Sequence, residues 1–278
     1  VTIPYGLLKF FHTVVSGYVV AAFFVLGISA WHLLRKNRPD FFLPSFRTGA
    51  VFGLASLFLV LVTGDFHAVE VAKTQPTKFA AMESVWETRR GAGMSLITIP
   101  DPANERNSVE ALTIPSMLSY LAFHRADGEV KGLKDFRKDE RPPVTPVFLS
   151  FRAMVAMGFF MTLLALLSVI VSFRGTVEKH TLLLRVLLYS IPVPYLANQL
   201  GWIVAEVGRQ PWIVYGIMKT SDGVSRSISA GQVVGSLIGF TLLYGLLGFI
   251  DIFLLAKYAR KGPDGDLASF IKPASKEA

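Results

Sequence analysis

"LLKFFHTVVSGYVVAAFFVLGISAWHLL", residues 7–34, decides the fold class. Apart from Lys9, His12 and His32 the stretch is apolar, aromatic, glycine or small polar. At about 1.5 Å per helical residue it crosses the roughly 30 Å hydrocarbon core of a bilayer. Four further runs read the same way: 48–63, 147–173, 182–207 and 229–256. The run at 48–63 is the shortest and only just spans with its flanks. Although 52% of the residues are hydrophobic, a fraction a soluble domain can reach, their collection into runs argues for a membrane protein. The expected fold is an all-α integral membrane protein, a bundle of five transmembrane helices with one long extracytoplasmic loop between helices two and three. Residues 1–63 hold the first two helices, 64–146 the loop, 147–257 the last three helices and 258–278 a tail.

Charge sets the expected orientation. Arg35, Lys36, Arg38 and Arg47 follow the first helix, Arg174, Lys179 and Arg185 follow the third, and Lys257, Arg260, Lys261, Lys272 and Lys276 follow the fifth. These 12 of the 28 Lys and Arg fall on one side, which the positive-inside rule makes cytoplasmic. The loop 64–146 carries 11 basic against 12 acidic residues, net −1, so the chain's excess of +8 lies outside it. Such a distribution is a topology signal and not a nucleic-acid footprint. The N-terminus and long loop are expected outside and the tail inside a bacterial or archaeal cell membrane. The chain opens on Val with no basic segment before the first helix, so its start is expected to be a processed, split or truncated end.

With no cysteine, disulfides, thiolate metal sites and iron–sulfur clusters are excluded. Metal chemistry is left to His, Met and carboxylates. Three such residues fall at one depth. His12 lies in the outer third of helix one; Met154 lies seven residues into helix three, roughly 10 Å deep; Glu206 closes helix four at its outer end. Each also has a plainer reading: His12 as an interhelical hydrogen-bonder, Met154 as a gap filler, Glu206 as the partner of Arg209 in an interfacial ion pair. Trp202, Glu206 and Arg209 are spaced i, i+4 and i+7, one helix face suited to a flat aromatic ligand with anionic substituents, and Gly201 and Gly208 leave room beside it. Arg152 is a charge inside helix three that needs a partner, a haem propionate or a nearby carboxylate. His plus Met ligation would give a low-spin haem suited to electron transfer, and a carboxylate would favour a high-spin iron.

In the outer loop, "KFAAME", residues 78–83, places Lys78 and Glu83 around an apolar patch, where a quinone head could meet a cation and a carboxylate. An ordinary solvated amphipathic stretch is the competing reading. Pro100, Pro102, Pro115, Pro142, Pro143 and Pro146 predict that much of the remaining loop is irregular. His67, His124 and His180 are expected to face solvent, and His32 has no assigned role. "IPVP", 191–194, is placed to kink helix four, and Gly231, Gly235 and Gly239 form a close-packing face on helix five.

The segments "KFFHTVVSGYV" (9–19), "QPTKFAAMESVWET" (75–88), "FRAMVAMGF" (151–159) and "GWIVAEVGRQPW" (201–212) carry a resemblance. In this order the chain resembles subunit I of the cytochrome bd-type quinol oxidases, over its C-terminal portion. The resemblance implies that His12 and Met154 are the axial ligands of a low-spin b haem, with Arg152 steadying it. It implies that Glu206 ligates a high-spin b haem beside Trp202 and Arg209, and that Lys78 and Glu83 bind and oxidise quinol. The haem irons would thus be held by His12, Met154 and Glu206. The function implied is a subunit or fragment of a respiratory quinol:oxygen oxidoreductase that passes electrons from membrane quinol through the low-spin to the high-spin b haem and on to haem d.

The family's first four transmembrane helices have no counterpart here, and they supply the haem d ligand. Haem d and oxygen reduction are therefore expected only with those helices, from a chain supplying them, beside an oxidase subunit II and the lipid bilayer. Two other readings stand beside this one. A non-catalytic haem-binding assembly subunit would keep the fold without turnover, and a membrane transporter would line a solute path with its intramembrane charges.

Overall fold

The structure, a computed structural model, describes residues 4–225 and 227–263. Its helices are α1 (Pro4–Leu34), α2 (Pro39–Thr74), α3 (Pro76–Glu83), α4 (Met117–Phe123), α5 (Val144–Phe173), α6 (Thr181–Tyr189), α7 (Val193–Glu206) and α8 (Ala230–Lys261). Among the described residues α1, α2, α5 and α8 are each long and apolar enough to cross a membrane. The pair α6–α7, bent by 41°, is long and apolar enough for a fifth span when read as one broken segment. The bend falls at Ser190–Pro192, where proline removes a helix donor, as "IPVP" predicts. The chain divides into two units, residues 4–223 and 224 onward.

In the first unit α1 packs along α2, α5 along α2 and α7, and α6 along α1. Their shared core includes Phe23, Leu26, Phe46, Leu57, Leu164 and Leu187, all buried. Close approach of α1 and α2 depends on small residues: a Cβ on Gly53 would stand 3.1 Å from the Cβ of Ala22. The turn from α1 to α2 is locked by His32. Its carbonyl accepts from Arg35 N and Asn37 N, its ring nitrogen meets Asn37 Nδ2 at 2.9 Å, and its ring stacks on Phe42 at 3.9 Å. A fully buried histidine thus has a structural role that the sequence does not reveal.

The second helix is longer than the 48–63 run. It starts with Pro39 in its first turn, continues through Pro44 and runs to Thr74, because Val71 and Ala72 find a second apolar core above the membrane run. That core, with Phe79, Trp86, Leu118, Leu133, Val147 and Val204, organises a cap at one end of the helices from residues 75–146 and 207–223. The cap contains three antiparallel strand pairs: β1 (Arg89–Arg90) with β4 (Glu129–Val130), β2 (Met94–Asp101) with β3 (Arg106–Ile114), and β5 (Trp212–Val214) with β6 (Met218–Lys219). The long loop is therefore more regular than its prolines predict. Pro100 is accommodated where the β2–β3 register shifts, since it cannot donate to the ladder.

The second unit contains α8, 32 residues long. Ser229 caps it, its Oγ accepting from Gln232 N while Gln232 Oε1 accepts from Ser229 N at 2.9 Å. It carries Gly231, Gly235, Gly239 and Asp251 and ends on Arg260 and Lys261. The tail from residue 264, with Lys272 and Lys276, lies outside the described residues, as do residues 1–3.

Candidate functional site

The eight residues of α3 decide the geometry of the capped end. Far from a solvated stretch, the helix is buried from Thr77 to Glu83, with Lys78 4% and Glu83 9% exposed. Two ionisable groups this deep need partners. Lys78 Nζ donates to Ala205 O at 3.4 Å, the carbonyl immediately before Glu206. Arg152 Nη2 donates to Glu83 Oε2 at 2.6 Å, two residues before Met154. One short helix therefore reaches the two spans that carry the candidate ligands, α7 through Lys78 and α5 through Glu83.

Burial works against both charges. It pushes Glu83 up to about 7, against the opposing pull of Arg152. It brings Lys78 down to about 8, aided by Lys9 and Arg209 and opposed by Glu206. The end of α3 is fixed by Ser84 in the left-handed region (φ 53°), with Ser84 Oγ and Trp86 Nε1 donating to Asn107 Oδ1 of β3 at 2.6 and 3.0 Å. Asn107 was not singled out from the sequence, yet it holds the turn that aims Glu83. A cavity of about 210 Å³ flanks α3, lined by Lys73, Pro76, Phe79, Phe123, Glu129 and Lys131 among others, and not by Lys78 or Glu83.

His12 is half-buried, with Nδ1 2.9 Å from Thr63 Oγ1 of α2. The Thr63 hydroxyl donates to Leu59 O at 2.8 Å, so its oxygen is left to accept and the imidazole carries its proton on Nδ1. That tautomer leaves the Nε2 lone pair open, the form in which imidazole binds a metal. Thr63 is a further residue the sequence reading missed. His67, expected in solvent, instead packs its ring 5.5 Å from Tyr5 and 5.8 Å from His12. His124 does face outward and hydrogen-bonds Asp65 at 2.9 Å.

Met154 is half-buried on α5, and its Sδ lies 3.2 Å from where a Cβ on Gly201 would stand. Gly201 thus gives the thioether its room on α7. The imidazole is fixed from α2 and the thioether is seated against α7; α1 and α5 both pack on these two helices. Glu206 is the last residue of α7, and Arg209 reaches back to it from the following turn in a short ion pair. The i, i+4, i+7 face therefore ends before Arg209, which arrives from outside the helix. Trp202 on α7 is 56% exposed. The α6–α7 break, the broken helix a transporter reading asks for, holds no ionisable residue and lies apart from Glu206 along the chain.

Do these residues fit haem? Among the described residues three buried side-chain nitrogens lack a hydrogen-bond partner: His67 Nε2, Arg152 Nε and Arg209 Nε. A buried unpaired donor costs about 1–3 kcal/mol, and an anionic substituent such as a haem carboxylate would satisfy such donors. Lys9 of α1 adds a cation within electrostatic reach of Glu206 and Arg209. With an Nδ1-protonated imidazole, a thioether given space by glycine, and a carboxylate at a helix end, the donor set fits.

A sequence model of the family described as cytochrome bd terminal oxidase subunit I matches residues 1–263. The chain is 36% identical to the cytochrome bd ubiquinol oxidase subunit 1 of Bacillus subtilis (strain 168), covering 96% of this chain and 59% of that one. It is 33% identical to the cytochrome bd-II ubiquinol oxidase subunit 1 of Escherichia coli (strain K12), covering 94% and 63%. Among solved structures, the bd oxidase from Geobacillus thermodenitrificans matches with a TM-score of 0.80 and 31% identity, over 92% of this chain and 58% of that one. The chain spans about three fifths of the length of the relatives it matches.

Proposed function

The chain belongs to the cytochrome bd terminal oxidase subunit I family, and we propose that it carries the quinol-oxidising, electron-transferring part of a respiratory quinol:oxygen oxidoreductase. The observation that carries this reading is α3, an apolar helix whose two buried ionisable residues are bonded beside Glu206 and beside Met154.

In this reading His12 and Met154 hold a low-spin b haem with Arg152 beside it, and Glu206, Trp202 and Arg209 flank a high-spin b haem. When bound, the haems supply one-electron transfer from quinol toward haem d, where oxygen is reduced. Haem d would lie in the part of the relatives' length that this chain does not span, with an oxidase subunit II alongside. The protein residues do the rest. Glu83, held near neutrality, takes a proton from a quinol hydroxyl. Before that transfer the Arg152 guanidinium stabilises the ionised carboxylate that accepts the proton. Lys78 offers a donor to the quinone oxygen, and burial of both residues keeps water from competing. Thr63 holds His12 in its metal-binding tautomer. The N-terminus and cap face outward and the basic turns inward in a multi-pass cell membrane, so quinol protons leave on the outer side.

Rapid mixing of the haem-loaded protein with a soluble quinol tests this. Glu83→Gln is expected to slow haem reduction by about 100-fold, within the range typical of a lost acid–base group, while leaving the oxidised spectrum intact. An unchanged rate would remove Glu83 from the reaction.

A further inference from the structure

At the opposite end of the first unit, where the basic turns lie, the end of α1 and α6 flank an open cleft of about 610 Å³ lined by Trp31, Leu34, Arg35, Arg185, Leu188 and Tyr189. Its size is that of a ligand pocket. Two cations line it, Arg35 from the turn after α1 and Arg185 from α6. The Arg35 guanidinium lies over the Trp31 ring, 4.1 Å from its centroid, which fixes its position. Among the described residues neither Arg35 nor Arg185 has an ion pair or a side-chain hydrogen bond. Of the basic residues nearby, Arg38 is paired with Asp40 at 3.0 Å and Arg47 lies over the Phe173 ring at 4.0 Å.

The order of chemistries along the two helices is as telling as the charge. Arg35 follows the last residue of α1 and Trp31 lies one turn back along that helix; on α6, Arg185 precedes Leu188 and Tyr189 by one turn. From the surface inward the cleft is therefore cationic, then aromatic and aliphatic. A phosphodiester with acyl chains attached presents the same order. Tyr189, 78% exposed, adds an aromatic side chain of the kind favoured at the membrane interface.

We propose that this cleft is a binding site for an anionic glycerophospholipid, its phosphate between Arg35 and Arg185 and its acyl chains along Leu34, Leu188 and Tyr189. The site is remote from α3 and does not depend on the haem reading. It depends only on the spans crossing a bilayer.

The test uses the full chain in phosphatidylcholine vesicles doped with brominated phosphatidylglycerol or brominated phosphatidylcholine. Trp31 emission is isolated by difference from Trp31→Phe. Half-quenching of Trp31 is expected at about a 30-fold lower mole fraction of the anionic lipid, the preference that two interfacial arginines give. Arg35→Gln/Arg185→Gln should abolish that preference, and saturating inorganic phosphate should leave it in place. Equal quenching by the two lipids, a preference that survives in the double variant, or displacement by phosphate alone would each overturn the proposal. Native mass spectrometry of the wild-type chain from mixed micelles gives a check without any variant. It should retain phosphatidylglycerol over phosphatidylcholine, and retention of neither would overturn it.

Discussion

Arg152 and Glu83 form a charge-assisted hydrogen bond of 2.6 Å that ties the short helix α3 to the span carrying Met154. Their side chains are 19% and 5% exposed, so neither charge can be rehydrated if the other is removed. Glu83→Gln or Arg152→Gln alone should destabilise the cap by about 3 kcal/mol, the cost of breaking a buried pair. The double variant should lose less than the sum. Denaturant unfolding of the four proteins forms the cycle, and strictly additive losses would mean the pair is not coupled.

Titration of Glu83 has a definite sign. Its pKa in the fold is about 7, above an ordinary value of 4.5, so the folded chain binds more protons in that interval. Its contribution to stability is full below about pH 4.5 and is lost as pH rises through about 7. Quinol-driven reduction should move the other way, rising through pH about 7 as the carboxylate becomes free to accept a proton. Glu83→Gln should remove both slopes. A variant whose rate still steps near neutrality would place the titrating group elsewhere.

The Thr63 hydroxyl oxygen accepts a hydrogen bond from His12 Nδ1, and its O–H donates to Leu59 O. Thr63→Val keeps the shape and removes the acceptor, so haem affinity should fall by about tenfold or more, as for other groups that orient a metal-binding histidine. Thr63→Ser should retain most of it. Equal affinity in all three, measured by haem titration, would show that the tautomer lock does not matter.

Gly201 leaves room for Met154, since a Cβ there would come within 3.2 Å of Sδ. Gly201→Val should displace the thioether and shift the bound haem from a low-spin toward a high-spin spectrum, with Gly201→Ala intermediate. A low-spin spectrum unchanged in Gly201→Val would mean that Met154 is not held from α7.

The membrane runs were legible because apolar residues gather in stretches that only a bilayer or a large core can cover, and α1 and α5 begin and end close to where those stretches do. The extension of α2 was not, because residues 64–74 alternate polar and apolar, and their helix survives only through Val71 and Ala72 packing into the cap. Lys78 and Glu83 look solvated in sequence. Their burial comes from chain far away in sequence: Arg152 lies 69 residues beyond Glu83, and Ala205 lies 127 beyond Lys78. Thr63 and His67 read as ordinary polar residues until the α1–α2 register sets them beside His12. Arg209 was placed by helical spacing, but α7 ends at Glu206 and a turn carries the arginine back.

The central claim is that His12 and Met154 share one haem iron, and the reduced-minus-oxidised visible spectrum of the haem-reconstituted chain tests it most directly. A low-spin b-type signal is expected, abolished by His12→Ala and converted to a high-spin form by Met154→Leu. Absence of that signal in the wild-type chain, or its survival unchanged in His12→Ala, would contradict it.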